Sequence, residues 1–489
     1  MPELFVNGTW ISSTAPGRPI RNPANGTELA TVSEAGEAEV DAAVAAARMA
    51  FRGPWRQTSA ADRGELLRTI AGLLVRDREE IARTESRDTG KTVPEGRIDV
   101  DDVVGVFRYY ANLATTDAGR VVDTGNMDVV SRVTYEPVGV CALIAPWNYP
   151  LLQMSWKLAP ALAAGNTAVL KPSELTPLST VHLVRLAAEA GVPDGVVNLV
   201  LGDGATVGGA LVAHPDVDLV SFTGGLATGQ RIMAAAAPGV KKLALELGGK
   251  NPNVVFPDAD FETAVDNALT AAFLHSGQVC SAGSRLIVHS SIHDRFVAEL
   301  ARRADAIRLG DGADEKTECG PLVSAEHRDK VEAHIARAVE EGATLVTGGT
   351  RPEGLDDGYF LRPTIFTGCD STMAIVREEV FGPVLTVEPF DTEEQAIALA
   401  NDTEYGLAGA VWTNDASRAQ RVAGTLRHGT VWINDFHPYV PQAEWGGFGK
   451  SGIGRELGPS GLGEYREAKH VYHNIRPAPS GWFSGGDTP

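Results

Sequence analysis

Cysteine is scarce in this chain, with four residues among 489. Cys141, Cys280, Cys319 and Cys369 lie far apart, and no C-x-x-C pair occurs. The usual zinc-binding spacings are therefore absent, and the separations do not resemble a disulfide framework. We expect no metal site, and we expect the four thiols to be free.

An excess of positive charge and a long apolar run are also missing. The chain has 43 Lys and Arg residues against 63 Asp and Glu residues, and the formal net charge of −20 opposes binding to phosphate backbones and anionic membranes. The longest apolar region, Leu151 to Leu170, contains Lys157 and Pro160 and would be a poor membrane span. Residues 1–13 lack the basic and apolar segments of a secretory signal. These absences predict no nucleic-acid or membrane partner and a cytoplasmic location.

Helix-like and strand-like segments alternate along the chain. The β-forming residues of Arg120–Val138, interrupted by a turn at Gly125-Asn126, predict a hairpin. Two series of strands separated by helices follow, which implies parallel sheets with right-handed crossovers. The predicted strands are 141–145, 166–170, 196–201, 218–222 and 242–247, then 254–256, 286–289, 344–347, 384–388, 407–412 and 430–434. The predicted helices include 37–52, 60–87, 97–113, 151–164, 177–190 with Thr176 as its N-cap, and 261–274.

Polar motifs stand where predicted strands end, at the edge where parallel sheets bind ligands. The segment PWNYP at 146–150 follows a strand, and the Asn148 amide can donate to a developing oxyanion. Alternatively, Asn148 only stabilises a turn bounded by prolines. Lys171 and Glu174 close the next strand and can hold the hydroxyls of an adenosine ribose, where the acid disfavours a 2′-phosphate. The alternative for these two residues is a surface charge pair.

Three further motifs lie at element ends. The glycines of FTGGLATG at 222–229 let the backbone approach a pyrophosphate at a helix N-terminus, although a tight turn would also explain them. Glu246 can be a general base if it is partly removed from water, and it is otherwise an exposed terminal glutamate. Gly277 and Gly283 allow a tight loop that exposes the Cys280 thiol, although free cysteines are more often buried and inert. No single motif is decisive, but their joint occurrence in this order is.

Together these motifs resemble the aldehyde dehydrogenase family over nearly the whole chain. The resemblance rests on PWNYP at 146–150, KPSE at 171–174, FTGG at 222–225 with Gly229, ELGGK at 246–250, GQVCSAGSR at 277–285 and EEVFGPV at 378–384. The spacing of 34 residues from Glu246 to Cys280 also matches the family. One departure is Gly225, where serine is commoner; it removes a hydroxyl near the cofactor phosphates and keeps the turn.

The resemblance implies an α/β fold with a Rossmann-like NAD-binding domain, an α/β catalytic domain and a β oligomerisation arm. The NAD-binding domain would comprise residues 1–118 and 139–249, the catalytic domain residues 250–447, and the arm residues 119–138 and 466–489. An exposed edge strand on such an arm would pair with another subunit, which predicts a homodimer or a homotetramer.

The resemblance also implies a chemistry. The Cys280 thiolate would add to an aldehyde, and the Asn148 side chain with the Cys280 backbone N–H would hold the oxyanion. Hydride would pass to NAD, with NADP as the alternative, and Glu246 would activate water to release the acyl group. Lys171 is placed with the catalytic residues as well as at the cofactor. The residues expected at the cofactor are Ile144, Ala145, Pro146, Trp147, Asn148, Lys171, Ser173, Glu174, Gly204, Phe222, Gly224, Gly225, Thr228, Glu246, Leu247, Glu379 and Phe381.

Four aromatic residues are candidates for contact with the substrate. Tyr149 and Trp156 are seven residues apart and would share a helix face, and the segment 434–445 adds Tyr439 and Trp445. These rings are either ordinary core or a cage for a quaternary ammonium group.

The segments 434–445 and 464–479 look most like betaine aldehyde dehydrogenases of bacterial glycine-betaine synthesis. Leu274 stands where plant-type relatives carry Trp, and Glu444 stands where Pro is expected. A carboxylate at 444 would either favour a cation or face solvent. Because of these departures, an aminoaldehyde or a general aliphatic aldehyde stays open as the substrate. A non-catalytic structural relative is the alternative of another class.

Overall fold

The computed structural model describes residues 3–13 and 16–483, which form two large β-sheets, two small sheets and their flanking helices. The strands are β1 (Leu4–Val6), β2 (Thr9–Ile11), β3 (Arg18–Arg21), β4 (Glu28–Val32), β5 (Arg120–Val122), β6 (Val129–Pro137), β7 (Val140–Ile144), β8 (Thr167–Lys171), β9 (Val197–Leu199), β10 (Leu219–Thr223), β11 (Lys242–Glu246), β12 (Pro252–Val255), β13 (Arg285–His289), β14 (Thr344–Thr347), β15 (Thr364–Thr367), β16 (Val384–Phe390), β17 (Ala408–Trp412), β18 (Thr430–Ile433), β19 (Gly452–Ile453) and β20 (Arg466–Asn474). The α-helices are α1 (Glu37–Arg52), α2 (Ala60–Arg76), α3 (Arg78–Thr89), α4 (Val93–Thr116), α5 (Pro150–Ala164), α6 (Leu178–Glu189), α7 (Gly209–Ala213), α8 (Leu226–Ala236), α9 (Phe261–Phe273), α10 (Ser290–Asp305), α11 (Ala325–Glu340), α12 (Ala374–Arg377), α13 (Glu393–Asn401), α14 (Ala416–Thr425) and α15 (Gly458–Glu464).

The first large sheet has eight strands in the order β19-β11-β10-β7-β8-β9-β1-β2. Its five central strands, from β11 to β9, run parallel. All residues of β7, β8 and β10 are buried, as expected for strands covered on both faces. The predicted parallel sheet is therefore confirmed here. The antiparallel strands β1, β2 and β19 at the two ends of this sheet were not predicted, because two or three residues are too few to show an alternation.

The second large sheet has seven strands in the order β14-β15-β16-β13-β12-β17-β18. The strands from β15 to β18 run parallel, and β14 adds an antiparallel edge. The six strands predicted for this series all exist, with ends that differ by one or two residues. The strand β15 was not among them, and it has only four residues directly after Pro363.

Two helix predictions need correction. The segment 60–87 is not one helix, because α2 ends at Arg76 and α3 begins at Arg78, with Asp77 between them outside helical geometry. A break of one residue leaves the spacing of apolar residues almost unchanged, so the sequence pattern does not reveal it. The predicted cap Thr176 is also wrong, because α6 begins at Leu178 and Thr176 donates its hydroxyl to the Trp147 carbonyl oxygen at 3.0 Å.

The predicted hairpin around Gly125-Asn126 is confirmed by the antiparallel pairing of β5 with β6. On its other side β6 pairs with β20 over nine residues, so the three strands form a separate sheet. Val121, Val130 and Tyr472 on this sheet are 82%, 45% and 58% exposed. Residues 484–489 of the predicted arm lie outside the described residues.

The largest hydrophobic core includes the central strands of the first sheet and the apolar residues of α5. All fifteen residues of α5 are buried, including Gln153, Ser155 and Lys157. Among the described residues, no helix is both long and apolar enough to cross a membrane. The helix α5 begins at Pro150, the last residue of the PWNYP segment, so this buried helix fixes the position of Asn148 and Tyr149.

Candidate active site

Cys280 lies between two cavities and lines both of them. The larger, of about 340 Å³, is the aromatic cavity, and Tyr149, Trp156, Tyr439 and Trp445 are among the residues that line it. The smaller, of about 220 Å³, is the acidic cavity, and its lining includes Glu246, Glu379, Trp147 and Phe381. Cys141 and Cys319 are buried away from both cavities, whereas the Cys280 side chain is only partly buried.

The chain reaches Cys280 through three consecutive left-handed residues, His275, Ser276 and Gly277, with φ of 49°, 56° and 70°. A Cβ on Gly277 would lie 2.1 Å from the Gly382 carbonyl oxygen, so only glycine fits there. The tight loop predicted from the glycines is present, and it places Cys280 at the junction of the cavities.

Asn148 is buried four residues after the end of β7, and its Nδ2 donates to the Gln278 carbonyl oxygen at 2.8 Å. The side-chain amide therefore lies beside the loop that carries the thiol, two residues before Cys280. An amide in this position can donate to an oxygen that becomes negative when the thiol adds to a carbonyl group.

Glu246 ends β11 and is only 4% exposed, so it is not a solvated terminal glutamate. Burial raises the pKa of its carboxyl well above the usual range, the Glu456 carboxylate raises it further, and Lys157 opposes the shift. The Oε2 atom has no hydrogen-bond partner among the described residues. A carboxyl whose pKa is raised by burial binds protons more readily, so beside a thiol it can act as a general base.

Lys157 and Glu456 form a buried ion pair near Glu246, and this pair was not predicted. Lys157 Nζ pairs with the Glu456 carboxylate and donates to Thr223 Oγ1 at 2.6 Å. Both side chains are buried, and they come from segments 299 residues apart. No local pattern connects two such distant positions, so the sequence alone gave no signal for this pair.

The acidic cavity keeps the thiol protonated. Burial raises the pKa of Cys280 to about 12, and the carboxylates of Glu379 and Glu246 contribute to the shift. Glu379 itself has a pKa raised to about 7 by burial, which a hydrogen bond from the Gly249 N–H and the charge of Lys250 partly offset. The thiolate must therefore form with the help of a base or of added positive charge.

A third cavity of about 510 Å³, the outer cavity, lies next to the acidic cavity along β10 and α8. Lys171 and Glu174 line it, with Nζ and Oε2 3.8 Å apart. The helix α8 begins at Leu226, and its N-cap Gly225 carries no side chain and has open space where a Cβ would be. Free N–H groups at such a helix start suit a pyrophosphate, and the Lys171–Glu174 pair suits a ribose, so the outer and acidic cavities together fit a dinucleotide.

Most of the predicted cofactor residues line these two cavities. Ile144, Lys171, Glu174, Gly204, Phe222 and Thr228 line the outer cavity, and Pro146, Trp147, Asn148, Gly224, Gly225, Glu246, Leu247, Glu379 and Phe381 line the acidic cavity. Ala145 and Ser173 line neither, because the Ala145 N–H donates to the Lys171 carbonyl oxygen and Ser173 Oγ accepts from Leu175 N–H. Asp203 and Arg231 also line the outer cavity and were not predicted.

The four predicted aromatic residues meet in the aromatic cavity. The Trp156 ring centroid lies 5.1 Å from that of Tyr439 and 5.8 Å from that of Trp445, in edge-to-face geometry. Leu274 lines the same cavity. Glu444 does not, because its Oε1 accepts hydrogen bonds from the backbone and side chain of Ser460 at the start of α15.

Two carboxylates in the aromatic cavity were missed, Asp99 and Asp102 on α4. Asp102 Oδ2 accepts the Tyr439 hydroxyl at 2.7 Å, and Asp99 pairs with the buried Lys91. Their spacing of three residues on a helix puts them on one face. The helix was predicted from 97 onwards, but nothing in the sequence placed that face against the aromatic rings.

A thiol between an aromatic cavity and a cleft that fits a dinucleotide is the arrangement expected of a nucleotide-dependent oxidoreductase. A family model described as "Aldehyde dehydrogenase family" matches residues 10–471. The chain belongs to the aldehyde dehydrogenase family.

Known relatives cover nearly the whole chain. A betaine aldehyde dehydrogenase of Bacillus subtilis (strain 168) is 59% identical over 98% of this chain and 99% of its own length. Aminoaldehyde dehydrogenase 2, peroxisomal, of Pisum sativum is 46% identical over 98% of this chain and 97% of its own length. A crystal structure of betaine aldehyde dehydrogenase from Staphylococcus aureus in complex with NAD+ is 52% identical, covers 99% of this chain and 97% of that chain, and superposes with a TM-score of 0.97.

Proposed function

We propose that this chain oxidises betaine aldehyde to glycine betaine, with NAD as the hydride acceptor. One observation carries the choice of substrate: five aromatic rings, the four predicted ones and Phe436, line the cavity beside Cys280 together with two carboxylates. Aromatic faces and nearby negative charge attract a quaternary ammonium group, and an apolar cavity removes it from water, which strengthens the attraction. The similar proteins of Bacillus subtilis and Staphylococcus aureus are both betaine aldehyde dehydrogenases.

The cofactor would lie across the outer and acidic cavities. Lys171 and Glu174 would hold the adenosine ribose, the start of α8 at Gly225 the pyrophosphate, and Glu379 with Phe381 the nicotinamide end. The Glu174 carboxylate disfavours the 2′-phosphate of NADP, and Asp203 in the same cavity adds to that effect. When bound, NAD supplies the acceptor for the hydride.

The protein's own groups would carry out the remaining steps. The Cys280 thiol gives up its proton to a nearby base, and the sulfur then bonds to the aldehyde carbon. The Asn148 amide and the Cys280 backbone N–H donate to the oxygen that becomes negative. Loss of hydride from the carbon leaves an acyl thioester on Cys280. Glu246 takes a proton from water, the water oxygen bonds to the thioester carbon, and the bond from carbon to sulfur breaks to release the carboxylate.

The substrate is tested by steady-state kinetics with betaine aldehyde, 4-aminobutyraldehyde and propionaldehyde. We expect the highest kcat/KM for betaine aldehyde. Equal values for betaine aldehyde and propionaldehyde would contradict the cage. A higher value for 4-aminobutyraldehyde would favour the aminoaldehyde alternative, which the two carboxylates and the similar pea enzyme support.

The nucleophile is tested by Cys280→Ser, with Cys369→Ser as its control. Cys369 is a second partly buried cysteine, and its Sγ donates to the Thr367 carbonyl oxygen away from the cavities. Cys280→Ser should remove the production of NADH and Cys369→Ser should retain it. No aldehyde oxidation by the unaltered protein would instead indicate a structural relative without catalysis.

We further propose that residues 1–118 and 139–249 act as the NAD-binding domain, residues 250–447 as the catalytic domain, and residues 119–138 and 466–489 as an oligomerisation arm. The outer edge of β20 is unpaired among the described residues, and apolar side chains such as Val121 and Tyr472 are exposed on the arm sheet. A homodimer or homotetramer would cover both features. Light scattering at several protein concentrations measures the assembly, and a monomer throughout would contradict the proposal.

We also propose a cytoplasmic location, in keeping with four cysteines that are all free. Fractionation of the native organism with detection of the enzyme would test this. Activity in a fraction other than the cytoplasm would contradict it.

A further inference from the structure

His275 has an uncommon backbone conformation in the loop that leads to Cys280. It is a bulky residue with a left-handed backbone, and its side chain is only 2% exposed. Left-handed residues other than glycine and asparagine are rare unless the surroundings hold them in place. Two residues that contact His275 also belong to the proposed active site or contact it: Gln278 binds Asn148, and Tyr149 lines the aromatic cavity.

Three contacts fix the backbone of this loop. Glu95 Oε1 accepts the His275 N–H at 2.8 Å, while Glu95 Oε2 accepts the Thr92 N–H at the start of α4. Gln278 Nε2 donates to the His275 carbonyl oxygen at 3.1 Å, and Ser276 Oγ donates to the Gly320 carbonyl oxygen. The start of α4 therefore anchors the loop that carries Cys280.

The His275 ring contacts the segment that carries the oxyanion donor. Its centroid lies 5.4 Å from that of Tyr149, edge to face, and the Asn148 backbone is close enough to the ring to raise the imidazole pKa, as a hydrogen-bond acceptor does. Burial lowers the pKa of the imidazole well below its usual range, and the charge of Lys91 lowers it further, so the ring is neutral. Nε2 has no partner among the described residues. The neutral ring has one donor, and Nδ1 is the nitrogen left to donate to the Asn148 carbonyl oxygen.

The Asn148 side chain completes a closed set of contacts, because its Nδ2 donates to the Gln278 carbonyl oxygen three residues after His275. His275 thus joins the loop before Cys280 to Asn148 on one side and to Tyr149, a wall of the aromatic cavity, on the other. We propose that His275 is a positioning residue, whose N–H fixes the Asn148 amide at the oxyanion and whose ring fixes Tyr149 in the aromatic cavity. This inference rests on the proposed function.

Two substitutions in the full-length protein separate the two contacts. His275→Phe keeps a ring against Tyr149 but has no N–H for Asn148. His275→Asn keeps a donor and tolerates the left-handed backbone but removes the ring. His428→Phe is the matched control, because His428 is also buried and neither of its ring nitrogens has a partner among the described residues. Each variant is assayed with betaine aldehyde and with propionaldehyde, and its melting temperature is measured.

We expect His275→Phe to lower kcat/KM for both aldehydes by a similar factor of about three to ten, as for one lost hydrogen bond, because the oxyanion forms with either substrate. We expect His275→Asn to raise KM for betaine aldehyde and to change the kinetics with propionaldehyde much less. His428→Phe should change neither kcat/KM value.

The inference is overturned if His275→Phe matches the unaltered protein, or if both His275 variants lose activity only in proportion to their melting temperatures. The effect of His275 on the Asn148 amide at the oxyanion is measured with propionaldehyde, so this measurement does not depend on which aldehyde the enzyme prefers. If the proposed function is wrong, the kinetics of the unaltered protein will already show it. If only this inference is wrong, it will show in the ratio of kcat/KM between the His275 variants and the unaltered protein.

Discussion

The two cavities on either side of Cys280 are built in different ways. The acidic cavity is formed largely by short segments that follow strands of one parallel sheet, with glycines and single carboxylates at the strand ends. The aromatic cavity is formed largely by side chains from α4, α5 and the segment 434–445, and the last of these is more than 250 residues from the two helices. One side is thus defined by local backbone geometry and the other by distant side chains. The first suits a reaction shared by all aldehydes, and the second suits the choice among them.

The largest expected effect is on the acidic side. Glu246→Gln should lower turnover with every aldehyde by roughly 10²- to 10⁴-fold, the contribution of a general base. Formation of the thioester does not need that base to activate water, so rapid mixing should still show a first burst of NADH stoichiometric with the enzyme. Glu444→Gln is the control, since Glu444 contacts Ser460 and lines none of the three cavities described above. Loss of the burst together with turnover would show that Glu246 acts before hydride transfer.

A smaller and more selective effect is expected on the aromatic side. Trp156→Leu should lower kcat/KM for betaine aldehyde by about 30-fold, which corresponds to about 2 kcal/mol for a desolvated contact between a cation and a ring. Propionaldehyde serves as the internal control and should lose little. If kcat/KM fell equally for both substrates, the aromatic cavity would not select among aldehydes as we describe.

Glu174→Gln tests the outer cavity with an effect of intermediate size. KM for NAD should rise about five- to tenfold, somewhat less than is usual for loss of a hydrogen bond to a charged group, because Glu174 is partly exposed. The preference for NAD over NADP should narrow, since the charge that repels a 2′-phosphate is gone. The ratio of kcat/KM for betaine aldehyde to that for propionaldehyde should not change. A change in that ratio would show that the outer and aromatic cavities are coupled.

The smallest effect is a pH dependence of the aromatic side. Burial raises the pKa of Asp99 to about 7, although the charge of Lys91 opposes the shift. Asp99 therefore gains its negative charge as the pH rises through 7, and KM for betaine aldehyde should fall a few-fold over that interval. With propionaldehyde the same interval should leave KM unchanged. Asp99→Asn should remove the pH effect, and an effect that persists in this variant would contradict the assignment to Asp99 and indicate another group, such as Glu379 or Lys250, whose pKa values are also about 7.

The same contrast explains what could be predicted from the sequence. The positions of Asn148, Glu246 and Cys280 follow from strand ends and glycines that lie next to them in the chain. Lys157 and Glu456 could not be paired in advance, because only the folded chain brings them together. Asp99 shows the limit within one element: the sequence indicated its helix, but which neighbour that helix faces depends on long-range packing.

The buried helix α5 has a consequence for how such an enzyme changes over evolution. Trp156 lines the aromatic cavity, while the next residue, Lys157, turns roughly 100° around the helix axis and pairs with Glu456 beneath Glu246. One face of α5 therefore contributes to recognition of the aldehyde, and another contributes to the chemistry around Glu246. Substitutions on the Trp156 face can shift the range of aldehydes while the Lys157 face keeps its partners. An insertion or deletion of one residue within α5 would rotate both faces and damage both at once. New substrate ranges in this scaffold should therefore arise by replacement of side chains on α5, and its length should stay fixed.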